Sequence, residues 1–309
     1  MAKHNQNPSD YIVPLDMNGL VGRMLHIPDS GNKNIEILFV YGQHSSIERW
    51  WGLIKFLNHF GAVTVPDLPG FGGMQSFYKI NSKPTIDNYA DYLASFMKMR
   101  YHRKKVVIIG LSFGFVIITR MLQRYPELTK KVKMLISIVG FSHRDDFGFK
   151  KSRYHFYRVL TKIVSFQLPA LFFRYVCLNS KLLKLVYDRT YLAKSKFNGK
   201  DSAKDHALKM NVETWLWHHN DVRTHAFTTY EFLDLDNCRV RVNLPLWHIF
   251  ADEDQYFNHR CVEQHLKVIF KRVRITESKI VNHAPSIIAG ENEAAALVSP
   301  ELRRAFRKL

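Results

Sequence analysis

Two periodicities divide this chain. Short apolar runs rich in β-branched and aromatic residues stand at Ile35–Tyr41, Ala62–Pro66, Val106–Ile109, Lys133–Val139, Leu246–Ala251 and Arg272–Val281, and each reads as a strand. Between them lie stretches whose apolar positions fall near helical spacing: Ile47–Phe60, then Ile86–Met99 with Tyr89, Leu93, Phe96 and Met97, then Phe113–Tyr125. Ser299-Pro300-Glu301, a cap followed by proline in the first turn, predicts a C-terminal helix to about Lys308. Such alternation predicts a mostly parallel, doubly wound sheet with helices on both faces.

The alternation lapses from about Ser142 to Asn243. That stretch is helical in character, with Phe156, Val159, Leu160 and Ile163 spaced for one face, an aromatic-rich run Phe166–Tyr175, and then Leu182, Leu183, Leu185 and Val186. A helical insertion between two sheet strands is a cap. The expected organisation is therefore a core over residues 1–141, a helical cap over 142–243 and the rest of the core over 244–309, with Asn198-Gly199 and Pro245 as punctuation.

Composition narrows the class. A chain of 309 residues with 46% hydrophobic and 13% aromatic content buries a sizeable core, which excludes a disordered chain. The three cysteines, Cys177, Cys238 and Cys261, lack paired metal-ligand spacing, so no disulfide, metal or cofactor is expected and a cytoplasmic setting is the default. Met1–Asp10 is polar with no apolar segment behind it, and Val106–Thr119 is too short to span a bilayer, so neither a leader nor a membrane span is expected.

Charge changes the picture. The net charge is +18, and residues 143–210 hold fifteen Lys/Arg against five Asp/Glu, a net +10 in that one segment. Two readings of the basic cap stay open: an ordinary solvated surface, or contact with an anionic lipid surface or an acidic carrier protein. Nucleic acid is not expected as a specific partner, because no recognised motif accompanies the charge. The Lys/Arg alternation with Leu, Phe and Val between Phe166 and Val186 fits both a peripheral membrane location and the cap's own core.

The candidate chemistry begins at Gly110-Leu111-Ser112-Phe113-Gly114, where an apolar strand runs straight into a helix. A serine hydroxyl reacts when it projects from a sharp strand-to-helix turn, and Gly110 and Gly114 supply the positions without side chains that such a turn requires. With Tyr41-Gly42-Gln43, Asp67-Leu68-Pro69-Gly70-Phe71-Gly72, Ala251-Asp252-Glu253-Asp254 and Asn282-His283-Ala284-Pro285, the chain resembles the α/β-hydrolase fold, in its esterase- and lipase-like branch with a helical lid. The resemblance covers roughly Ile35 to the C-terminus, and the order Ser, Asp, His is the one this fold uses.

The resemblance implies Ser112 as nucleophile, His283 of the fifteen histidines as general base, and Asp254 as the acid that orients it. Asp252 is the alternative acid, and Asp145 or Asp146 after the sixth strand a further one. The backbone N–H groups of Gln43 and Phe113 are implied as the oxyanion hole, with the side chains of Gln43 and His44 shaping the pocket. Two positions depart from the family pattern. Tyr41 stands where a histidine is usual before the glycine, and bulky Phe115 follows Gly114, so smaller partners are expected around it. The implied function is hydrolysis of a carboxylic ester or related acyl substrate. The alternatives are thioester or carbon–carbon hydrolysis on the same fold, and a non-catalytic ligand-binding member; oligomeric state is not readable.

Overall fold

The computed structural model describes residues 7–29, 31, 33–179, 182–183, 203–251, 254–278 and 290–309. One eight-stranded sheet organises it, in the order β1-β2-β4-β3-β5-β6-β7-β8. Strands β3 (Glu36–Val40), β4 (Ala62–Pro66), β5 (Val106–Leu111), β6 (Val132–Ile138), β7 (Val242–Ala251) and β8 (Phe270–Ser278) are mutually parallel. β4 and β5 are buried along their whole length, which is why both read as unbroken apolar runs.

Two strands precede those that the sequence pattern predicts. β1 (Ile12–Met17) and β2 (Leu20–Ile27) form an antiparallel hairpin, and β2 pairs antiparallel with β4 through Met24–Ile27. The hairpin turns at Asn18 and Gly19, both at positive φ (55° and 78°), the pair that a two-residue hairpin loop favours.

Helices α1 (Trp51–Asn58), α2 (Ile86–Arg100) and α3 (Phe113–Arg124) connect the early strands as expected, with Glu48–Trp50 forming a 3-10 turn ahead of α1. Thr85 caps α2 by accepting from the Asn88 amide. Between β6 and β7 the described elements are helical: α4 (Lys151–Val164), α5 (Gln167–Phe172) running into a π-helical turn at Phe173–Cys177, α6 (Ala203–His219) and α7 (Val222–Phe232). They enclose a small core of their own, with Val164, Ala170, Met210, Val222 and Ala226, separate from the main core around the sheet. After β7 come α8 (His259–Ile269), then β8, α9 (Glu291–Leu297) and α10 (Pro300–Phe306), the last capped by Ser299 as its sequence predicts.

Candidate active site

Ser112 stands between β5 and α3 at φ 48° and ψ −115°, a region that L-residues seldom occupy. Holding a non-glycine residue there costs on the order of 1–3 kcal/mol, which the packing on both sides must offset. Two glycines make that packing attainable. A Cβ on Gly110 would stand 2.6 Å from the Phe115 Cα, and one on Gly114 would stand 2.1 Å from the Val40 carbonyl oxygen, so α3 folds back onto the ends of β5 and β3 only because both are glycine. The Ser112 amide donates to the Ile138 carbonyl at 2.9 Å, anchoring the turn to β6.

The loop after β3 presses on this turn. A Cβ on Gly42 would lie 3.2 Å from the Ser112 Cβ, so the Gln43 backbone follows a glycine in contact with the serine. Across the same corner Phe113 is the first residue of α3, where an amide has no acceptor within its own helix. The Gln43 side chain points away into α7: its Nε2 lies 2.9 Å from the His225 carbonyl, 2.6 Å from the Thr228 hydroxyl and 2.9 Å from the Thr229 hydroxyl.

His44 extends this fastening. It sits at φ 53°, is buried, and packs its ring 4.1 Å from that of Trp217 and 5.2 Å from that of His225. Its Nε2 is 3.6 Å from a Glu213 carboxylate oxygen, and Glu213 is fully buried on α6. Asn220 lies 3.4 Å from the His44 Nδ1 and accepts from the Gly72 amide at 2.9 Å. Glu213, Trp217, Asn220 and Thr228 belong to the helical insertion, some 170 to 185 residues from Gln43 and His44, and no local pattern marks them as partners of that loop.

The Asp67 turn supports the other side of the loop. Asp67 is fully buried and accepts from Tyr41 Oη at 2.6 Å, Arg23 Nε at 2.6 Å and the Gly73 amide at 2.7 Å. Burial pushes its carboxyl up, while Arg23, Tyr41 and the Gly73 amide oppose that shift. Tyr41 in turn accepts from the Leu68 amide at 3.0 Å, so its hydroxyl links the loop of the serine corner to the turn after β4. Burial and the Asp67 charge push its phenol well above the ordinary tyrosine value, so it remains a donor. Phe115 finds the small partner its size demands in Gly140, where a Cβ would stand 2.4 Å from its ring.

Of the residues proposed for proton transfer, Asp254 is described and His283 and Asp252 lie outside the described residues. Asp254 follows the end of β7, its amide donating to the Ala251 carbonyl at 3.2 Å, and its Oδ1 accepts from the amides of Tyr256 at 2.8 Å and Phe257 at 3.2 Å. β5, β7 and β8 are parallel, so β8 ends, at Ser278, on the same rim of the sheet as Ser112 and Asp254. Asp146 is committed elsewhere: fully buried, it accepts from the Ser142 and His143 amides and lies 2.5 Å from His265 Nδ1. Asp145 is exposed. His248 is likewise excluded as a base, because it is buried in the sheet against the Ser137 hydroxyl at 3.0 Å and burial lowers its pKa to about 4. A surface hollow of about 590 Å³ lined by His26, Glu36, Arg100 and Lys104 lies at the opposite, N-terminal rim of the sheet.

The family model for the alpha/beta hydrolase fold matches residues 36–272, most of the chain. This protein belongs to the α/β-hydrolase fold family. Among curated relatives, Protein ABHD8 of Bos taurus and of Homo sapiens are each 30% identical over 103 residues, 33% of this chain and 23% of theirs. The match therefore spans less than a quarter of those relatives' length. A thermophilic esterase from Thermogutta terrifontis is similar in structure, with a TM-score of 0.62 at 15% identity over 96% of this chain and 97% of that one. The enol-lactonase from Burkholderia xenovorans LB400 has a TM-score of 0.66 at 13% identity over 96% of this chain and all of that one. At these identities the likeness is one of fold. Within this α/β-hydrolase-fold chain, the buried bond to Asp67 gives Tyr41 a structural role.

Proposed function

We propose that the protein is a serine hydrolase that cleaves a carboxylic ester or related acyl substrate through an acyl-enzyme on Ser112. The observation that carries this reading is the strained backbone of Ser112 on a turn that two glycines permit, with the Gly42–Gln43 loop against it. Strain of this kind persists where the surrounding structure over-determines it, and it clusters at reactive positions.

In the proposed cycle the Ser112 hydroxyl attacks the acyl carbon as His283 takes its proton, and Asp254 holds the imidazole tautomer and balances the imidazolium. The carbonyl oxygen gains charge opposite the amides of Phe113 and Gln43, each such donor being worth about a hundredfold or more in rate. Collapse expels the alcohol, which receives the proton from His283; water then repeats the sequence and releases the acid. The Asp254 loop suits its role because two amides already hold one carboxylate oxygen, fixing the group's orientation. The helical segment 142–243 acts as the cap of the site, a reading supported by the Gln43 and His44 contacts to α6 and α7.

A fluorophosphonate probe tests this directly. The wild type should label and Ser112→Ala should not, and Asp254→Asn should lower kcat for short acyl esters by roughly 10⁴-fold. Equal labelling of wild type and Ser112→Ala would remove Ser112 from the reaction. Absence of labelling in both would favour the non-catalytic, ligand-binding member of the fold.

A further inference from the structure

Helices α4 and α5 each have two apolar faces, and their own core uses only one. Leu160, Val164, Ala170 and Phe173 turn inward, onto the small core shared with Met210, Val222 and Ala226. The opposite face is open. Nine of the eighteen large hydrophobic residues exposed among the described residues fall within 151–177, including Phe156 at 61%, Leu168 at 79%, Phe172 at 62% and Tyr175 at 74%. Clustering of that kind marks an interaction surface, whereas the other nine among the described residues are spread along the chain from Val13 to Val268. Exposed Lys150, Lys151 and Lys162 accompany the apolar stripe.

We propose that this outer face of the α4–α5 pair docks onto an anionic lipid bilayer. An apolar stripe with long cationic side chains beside it matches the layering of a leaflet, acyl chains beneath phosphate headgroups, and lysine stems reach the headgroups from an embedded helix. A second copy of the chain fits poorly, since residues 150–177 carry six Lys/Arg and no Asp/Glu and would meet their own charge. Geometry also fixes the mode of contact. No single described helix is long and apolar enough to cross a membrane, and the two helices that satisfy length and composition together are bent by 99° between Val164 and Gln167. The fourteen residues of α4 reach about 21 Å, short of the roughly 30 Å hydrocarbon layer, so the pair lies in the interface and does not traverse it.

The test is flotation with vesicles of phosphatidylcholine alone or with about one-third phosphatidylglycerol, using the Ser112→Ala protein so that binding is read apart from hydrolysis. Partitioning onto the anionic vesicles should exceed that onto phosphatidylcholine by roughly tenfold and fall as salt rises. The variant Phe156→Glu/Leu168→Glu/Phe172→Glu and the variant Lys150→Glu/Lys151→Glu/Lys162→Glu should each lose about tenfold in partitioning while keeping the wild-type melting temperature. Val268→Glu, an exposed position on α8, should change nothing. Failure of the wild type to float with anionic vesicles would overturn the proposal, as would binding that the apolar triple variant retains in full. A concentration-dependent dimer abolished by that variant, with no vesicle binding, would assign the face to a second copy. An acidic carrier captured in place of vesicles would likewise refute a bilayer.

Discussion

At the scale of single residues, the serine corner depends on what is missing from its neighbours. Gly140 leaves room for the Phe115 ring, and Gly140→Ala should cost about 1–3 kcal/mol by overpacking. Chemical denaturation of the single and double variants with Phe115→Ala should reveal a coupling of at least about 0.5 kcal/mol, and strictly additive penalties would show that the two positions do not share that space. Tyr41→Phe should destabilise by roughly 1–3 kcal/mol, because it strips a donor from buried Asp67 and an acceptor from the Leu68 amide. At this scale the serine turn is legible in the sequence, because the pentapeptide around Ser112 and the glycine before Gln43 are local patterns; the candidate acid after β7 is a local pattern too. Glu213, Asn220 and Thr228, which meet Gln43 and His44, are not legible there, since only the folded chain brings residues so far apart in sequence to one place.

Among the elements, β3 to β6 are legible because central parallel strands are apolar on both faces and interrupt the helical period abruptly, whereas the partly exposed β7 and the edge strand β8 show as shorter or alternating apolar runs. Their ends agree with the sequence reading to within a few residues, β8 starting at Phe270 and its described part closing at Ser278. The β1–β2 hairpin is not marked by the apolar pattern, despite its Asn18-Gly19 turn. β1 is the edge strand and β2 lies between it and β4, yet both mix polar with apolar positions and bury only some of them, so neither shows an unbroken apolar run. Helix α7 is the element that fastens the insertion to the core, through Gln43, and Asp221 caps its start by accepting from the Thr224 amide at 2.6 Å. Gln43→Ala should therefore raise amide hydrogen exchange across Val222–Phe232 without altering exchange in β5, as read by mass spectrometry. Equal protection in both proteins would show that α7 is held by its apolar contacts alone.

For the whole molecule, acid is the sensitive direction. Folded His248 takes up a proton only near pH 4, whereas the unfolded residue does so near its ordinary value of 6.5. Between those values the unfolded chain binds more protons, so the stability that neutral His248 confers is complete above about pH 6.5 and drains away as the pH falls toward 4. Its full size is about 3 kcal/mol at roughly 1.4 kcal/mol per pH unit. Urea denaturation across that window should fall less steeply for His248→Gln than for the wild type, and parallel curves would place the acid sensitivity elsewhere. Net charge of +18 adds self-repulsion of the compact state, so salt should shift the midpoint upward at every pH.

Arg23 lies on β2, ahead of the stretch by which the family is matched, yet its guanidinium meets the Asp67 carboxylate inside the sheet and the Glu48 carboxylate beside it. Homology and folding thus draw the start of this domain at different places. A polypeptide trimmed to begin at residue 36 would keep every residue of the serine corner, but it would strand an anion in the interior and bare the rim of β4 that β2 now covers. Such a fragment should collect in inclusion bodies, and recovery of a soluble, cooperatively melting product would show that the first hairpin is an ornament and not a member of the folding unit.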